Sequence, residues 1–156
     1  MLVASAFTVS AVIHRPIDEV FAFVTDARNN PQWQSDTGLL RIQQIPEEPV
    51  GVGTRIVEAR KFMGMQFETT SEVTAYVPGS VYTRHGIGAS GPLKEATTRF
   101  EPVADGTRVT AEVQVEAGGL LSIAEPLLVS NMKQGFESTL VTLKALLERQ
   151  PLEHVG

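Results

Sequence analysis

The sequence predicts an α+β domain: a curved antiparallel β-sheet wrapped around one long C-terminal α-helix, with two short helices after the first strand. Three observations predict it. Residues 122–150 carry Val129, Met132, Phe136, Leu140, Leu143 and Leu147 at gaps of three and four, the spacing of one helical face. No comparable stripe precedes them; residues 38–116 divide instead into short Val- and Thr-rich runs separated by Gly and Pro turns. Finally, at ~1.5 Å per residue a helix of that length runs roughly 35–40 Å, about the width of a small domain, and its apolar stripe needs a sheet to cover it.

In chain order, Phe7, Val9, Ala11 and Ile13 alternate with Thr8, Ser10 and Val12, which predicts a strand with one buried face. Pro16 opens a short helix with Asp18 and Glu19 at its positive end and Ile17, Val20, Phe21 and Val24 inside. Asp26 can cap a second short turn ending near Asn30-Pro31-Gln32-Trp33. Strands follow over 39–45, 54–61, 65–77, 81–87, 93–100 and 109–115. Gly53, Gly64, Pro78-Gly79, a Gly-rich turn after Ile87 and the hairpin signal Asp105-Gly106 punctuate them. Gly118-Gly119 breaks the last strand. Ser122 with Glu125 three places on reads as a capping box, Pro126 requires the helix to start nearby, and Pro151 ends it. The order β-α-α-β-β-β-β-β-β-α, with short connections between consecutive strands, makes an antiparallel meander.

The chain has 156 residues, 42% hydrophobic and 20% charged, as expected for one globular domain over 1–150 with a tail at 151–156. A net charge of −5 and the lack of a Lys/Arg run argue against nucleic acid or an anionic membrane as the main partner. No apolar run approaches the ~18 residues of a membrane span. The sequence has no cysteine, so it holds no disulfide and no thiol chemistry, which fits a cytoplasmic protein.

The order of elements, together with Ala11-Val12-Ile13 through Pro16…Val20-Phe21, Asp26…Pro31…Trp33, Val73-Thr74…Tyr76…Pro78, Phe100-Glu101-Pro102-Val103…Asp105-Gly106-Thr107-Arg108-Val109 and the Gly118–Leu128 stretch, resembles the START-like superfamily of polyketide cyclases/dehydrases and lipid-transport proteins, with its helix-grip fold. The resemblance covers roughly residues 3 to 149. It implies a cavity between the concave face of the sheet and the long helix. Met63, Met65 and Met132, with Phe62, Phe67 and Phe136, suit an adaptable apolar wall there, or an ordinary core.

Chemistry-bearing residues are few. Gly86-Ile87-Gly88-Ala89-Ser90-Gly91 matches G-x-G-x-x-G, but the following Thr97-Thr98-Arg99-Phe100 favours strand and Pro102 would end any helix, so it reads as a turn between strands. Gly51-Val52-Gly53 is likewise a turn. His14, His85 and His154 have no metal-ligand spacing, and neither metal nor cofactor is expected. His85 lies in phase with Val81, Thr83 and Ile87; with that face inward it becomes the general acid or base, and Arg84 faces the other way. Glu58 and Arg60 share a strand face with Ile56, either orienting a ligand's hydroxyl or carboxylate or forming a solvated salt-bridged face. Glu68 and Glu72 read as exposed.

The expected function is a binding or carrier protein for a hydrophobic small molecule, lipid-, polyketide- or isoprenoid-like, with ligand contacts at Trp33, Ile56, Arg60, Phe62, Phe67, Thr69, Met132 and Phe136. The alternative is a cyclase- or dehydratase-type enzyme using His85, Glu58 or Arg84 in the same cavity. A protein-interaction module, such as a coenzyme Q chaperone, is a further alternative. No nucleic acid and no integral membrane contact are expected, and the chain is expected to be a monomer or homodimer.

Overall fold

The computed structural model describes residues 3–34, 38–62, 64–87, 92–117 and 125–149. Strand β1 (Val3–Ile13) leads into helix α1 (Ile17–Thr25) and a single 3-10 turn (Ala27–Gln32). Six strands follow: β2 (Leu39–Ile45), β3 (Arg55–Phe62), β4 (Met65–Val77), β5 (Val81–Ile87), β6 (Leu93–Val103) and β7 (Gly106–Ala117). Helix α2 (Glu125–Arg149) closes the order. The expected capping box at Ser122 and the Gly118-Gly119 break lie outside the described residues, as does the second half of the G-x-G-x-x-G run. What is described on either side of that run is two antiparallel strands, β5 and β6, with no helix after it.

All seven strands form one antiparallel sheet in the order β1-β7-β6-β5-β4-β3-β2. The meander needs only one long-range pairing, β1 with β7, which carries Val3 opposite Ala117 through to Ile13 opposite Thr107. Both strands read by period two. Phe7, Val9 and Ile13 of β1 and Val109, Ala111, Val113 and Val115 of β7 are buried, while Thr8, Ser10, Glu112 and Gln114 lie on the other face. Fully burying side chains of this size contributes about 1.5–3 kcal/mol each.

Tight turns fall where the sequence demands them. Pro78 and Gly79, at φ +74°, turn β4 into β5, and a two-residue hairpin over Ala104-Asp105 joins β6 to β7. Gly106 follows that hairpin because of space: a Cβ there would run into the Ile13 carbonyl oxygen. The close approach is where the end of β1 passes β7 and turns into α1.

Helix α1 crosses one end of the concave face. Its buried Val20, Phe21 and Val24 pack on the sheet, with Phe21 edge-on to Phe100 at 4.9 Å and to Tyr76 at 5.3 Å between ring centroids. Helix α2 lies along the same face. Leu140, Leu143 and Leu147 are buried, and Val129, Met132 and Phe136 pack partly buried against the core, with Phe136 edge-on to Phe7. Leu128, one residue off the expected stripe, is 1% exposed.

The C-terminal half of α2 is also bonded to the sheet. Arg15 Nε donates to the Leu147 carbonyl at 2.8 Å, Lys144 Nζ to the Val12 carbonyl at 2.8 Å, and the His14 backbone N–H to Glu148 at 2.8 Å. Lys144 and Glu148 pair at 2.6 Å one helical turn apart. These contacts tie the helix end to the β1–α1 junction.

Candidate functional site

Sheet and helix do not close on one another everywhere. Between α2 and strands β3 to β7 the described residues leave a cavity of about 160 Å³. Its helix wall is Asn131, Met132, Gly135, Phe136, Thr139, Leu140 and Leu143. Its sheet wall comes from β3 (Glu58, Arg60), β4 (Phe67, Thr69), β5 (Tyr82, Arg84), β6 (Leu93, Ala96, Thr98) and β7 (Val109, Ala111). Val24 of α1 and Asn30, Trp33 and Gln34 around the 3-10 turn close one end.

Three charged side chains converge in this wall, brought together by period two and by strand register. Glu58 and Arg60 alternate onto the concave face of β3, as Tyr82 and Arg84 do on β5, with β4 between. Glu58 is 4% exposed. Its Oε2 lies 3.3 Å from Arg60 Nη2 and its Oε1 lies 3.9 Å from Arg84 Nη1. Arg60 also donates to Gln34 Oε1, and Arg84 Nη1 to Ser71 Oγ at 3.4 Å. Burial pushes the Glu58 carboxyl up, but the charges of Arg60 and Arg84, together with the Arg60 hydrogen bond, outweigh it and hold the group below its ordinary value. Glu58 is therefore a carboxylate at neutral pH, a fixed counter-charge rather than a proton donor. The Tyr82 hydroxyl goes the other way: burial raises it and the Glu58 charge adds to that, against the opposing effect of Arg84. It stays protonated and can donate.

Of the residues expected to carry function, Trp33, Glu58, Arg60, Phe67, Thr69, Arg84, Met132 and Phe136 all line this one cavity. Ile56 is fully buried and outside the lining. The side chain of Phe62 lies outside the described residues, as do Met63 and His154. Met65 is 49% exposed and contributes no wall.

The face on which His85 would serve as an acid or base is not the cavity face. His85 points to the outer face, with an exposed side chain whose Nδ1 lies 3.4 Å from Glu95, and Arg84 is the inward residue. The pairing with β4 sets this: Arg84 lies opposite the buried Val73 and His85 opposite Glu72, and a bulge follows, where Ala75 pairs with Thr83. Past the bulge the inward series runs Val73 then Tyr76, and Tyr76 meets Tyr82 edge-on at 6.3 Å. Thr83, the centre of the β-branched series, instead bonds Thr97 across the strands at 3.0 Å. Glu68 faces out and pairs with Arg41 at 2.9 Å; Glu72 pairs with Arg55 at 3.6 Å.

Sequence reasoning missed Tyr82, Asn30 and the β6–β7 part of the wall. Tyr82 was detectable, since it sits two residues from Arg84 and shares its face. Asn30 was not: nothing local separates a capping Asn from a cavity Asn. Asn30 Oδ1 and Trp33 Nε1 are buried without a hydrogen-bond partner among the described residues. No group of three or more His, Asp or Glu among the described residues could hold a metal ion. No described helix is long and apolar enough to cross a membrane.

A curved sheet gripping one long helix over an internal cavity defines the helix-grip class. The particular family follows from the sequence: the profile of the family described as polyketide cyclase / dehydrase and lipid transport matches residues 5–148, and the chain belongs to that family. No curated protein matches the chain. Among solved structures, it is similar to TTHA0849 from Thermus thermophilus (TM-score 0.78, 17% identity, 94% of this chain and 100% of that one). It is also similar to Mll3558 from Rhizobium loti (TM-score 0.71, 20% identity, 93% and 98%). A third is the di-domain ARO/CYC BexL from the BE-7585A biosynthetic pathway (TM-score 0.74, 17% identity), of which this chain spans 51% and matches with 95% of its own length. At these identities the likeness is one of fold.

Proposed function

We propose that this chain binds a small, mainly apolar molecule between its sheet and α2 and acts as a carrier or receptor for it. The observation that supports this reading most is the unfilled space itself. A core of this composition ordinarily packs without voids, and here about 160 Å³ stays open beside Met132, Phe136, Leu140, Leu93 and Val109. The ligand's apolar body rests against those side chains, and any polar group it carries meets the Glu58–Arg60–Arg84 wall. Lipid-, polyketide- and isoprenoid-like molecules have this character.

Native mass spectrometry of freshly purified protein, with organic extraction of the bound material, tests the reading. A discrete added mass, lost on denaturation, is expected. The only tryptophan, Trp33, lines the cavity and gives a second readout, since a bound ligand changes its emission. A clean unliganded mass together with Trp33 emission that no apolar compound perturbs would overturn the proposal.

One observation favours a second reading, an enzyme of cyclase or dehydratase type: polar groups converge at one place in an otherwise apolar wall. With Glu58 held ionised and His85 outside, such an enzyme would work by shaping its substrate and stabilising developing negative charge on the arginines, not by histidine acid–base chemistry. Loss of turnover in Arg84→Met with binding retained would separate this reading from the carrier.

A further inference from the structure

We propose that the ligand of this cavity is a carboxylic acid with a one- or two-ring apolar body, and that Arg84 and Tyr82 are the pair that holds its carboxylate. The inference rests on the cavity-binding reading and narrows it to a ligand class.

The guanidinium of Arg84 has little else to do. Its side chain is 12% exposed, yet only Nη1 is engaged, at 3.4 Å to Ser71 Oγ and 3.9 Å to Glu58 Oε1, both long for a charge-assisted bond. Among the described residues its Nε and Nη2 have no partner, although arginine offers five N–H donors in a planar fork. The Tyr82 hydroxyl, also without a hydrogen bond among the described residues, belongs to the neighbouring side chain on the same strand face, two residues away. It is 6% exposed and stays protonated. Glu58 cannot fill the vacancy, because its closer partner is Arg60 at 3.3 Å. A planar carboxylate fits the fork edge-on and accepts a third hydrogen bond from the phenol. A neutral hydroxyl would leave most of those donors unpaired.

Size sets the rest of the molecule. A dry cavity of ~150 Å³ takes one benzene ring, and this one measures about 160 Å³ with its polar wall included. That space suits one or two rings and is small for a long acyl chain.

The test is calorimetric titration of the intact protein with 2-naphthoate and with 2-naphthalenemethanol, which share the ring system and differ in the anion. The acid is expected to bind at least about tenfold more tightly than the alcohol. Arg84→Met should bring that ratio close to one, and Tyr82→Phe should lower it about threefold. Arg84→Lys, which keeps the charge but not the fork, should leave an intermediate preference. Circular dichroism verifies that each variant is folded, and where Arg84→Met is not, the wild-type ratio and the Lys variant decide. Equal binding of acid and alcohol by the wild type, or an unchanged ratio in a folded Arg84→Met, would overturn the carboxylate while leaving the cavity reading intact. Failure of both naphthyl compounds to bind would overturn the ligand class proposed here; the cavity reading would then stand or fall on the mass measurement.

Discussion

The C-terminal end of α2 and the stretch before it meet the same sheet in different ways. The C-terminal end, around Leu147, lies past the cavity: Leu147 is buried and belongs to the same apolar core as Ile13, Val20 and Phe21. These are compact side chains with no charge to hydrate, and they close on the helix. Hydrogen bonds from Arg15, Lys144 and His14 then fix the helix end. From Asn131 to Leu143 the helix lines the cavity, whose sheet wall includes Glu58, Arg60, Tyr82 and Arg84. Two guanidiniums and a carboxylate cannot be collapsed onto a phenyl ring without a large desolvation cost, so the walls stay apart. The cavity is thus a consequence of which side chains β3 and β5 turn inward, and the packed end is the anchor that tolerates it.

The largest expected effect breaks the anchor. Leu147→Ala removes an almost fully buried side chain outside the cavity lining and should cost about 2–5 kcal/mol. Met132→Ala, at the half-buried cavity wall, should cost about 1 kcal/mol, a fraction of what full burial contributes. Urea unfolding of both variants measures the contrast, and equal losses would show that the two stretches are packed alike.

A smaller effect sharpens the electrostatic half. Glu58→Gln should destabilise the protein by about 1–3 kcal/mol at pH 7, because it leaves Arg60 and Arg84 facing each other without their shared anion. The pH dependence has a definite sign. The Glu58 carboxyl lies lower in the folded protein than its ordinary value of 4.5. Its contribution is therefore fully present above pH 4.5 and is lost as pH falls through the depressed folded value. The stability gap between wild type and Glu58→Gln should be constant from pH 8 to 5 and narrow below about 4.5. A gap that does not change down to pH 3 would show that the carboxylate charge is not what the arginines require.

The smallest effect is expected outside the cavity. His85→Ala removes an exposed side chain and one long contact to Glu95, and should change stability by no more than about 0.5 kcal/mol. Ligand occupancy in native mass spectrometry should be unchanged. A loss of binding would put His85 back into the site.

How much of this was legible in the sequence differs between the packed core and the cavity wall. The packed core could be read directly. Phe7, Val9 and Ile13, Val109 to Val115, and the Leu140-Leu143-Leu147 stripe each show an unbroken period, and every buried member is apolar. The cavity wall was legible in its membership, since Glu58, Arg60, Arg84, Phe67, Met132 and Phe136 stood out by residue type. It was not legible in its orientation. In β5 the series Val81, Thr83, His85 and Ile87 looks more core-like than Tyr82 and Arg84, and only the pairing with β4, Arg84 opposite Val73 and His85 opposite Glu72, decides which is inside.

The sequence by itself determined the order of elements, the antiparallel meander, the two short helical segments after β1 and the long amphipathic helix. Periods and turn residues act over a few neighbours, so a linear reading captures them. The tertiary structure alone decided that Glu58 stands between Arg60 and Arg84, that Tyr82 faces the cavity and His85 does not, and that space remains under α2 from Asn131 to Leu143. Those outcomes depend on the register of β3, β4 and β5 and on the curvature that sets sheet against helix, and register across three strands is a property of their pairing that no single strand encodes.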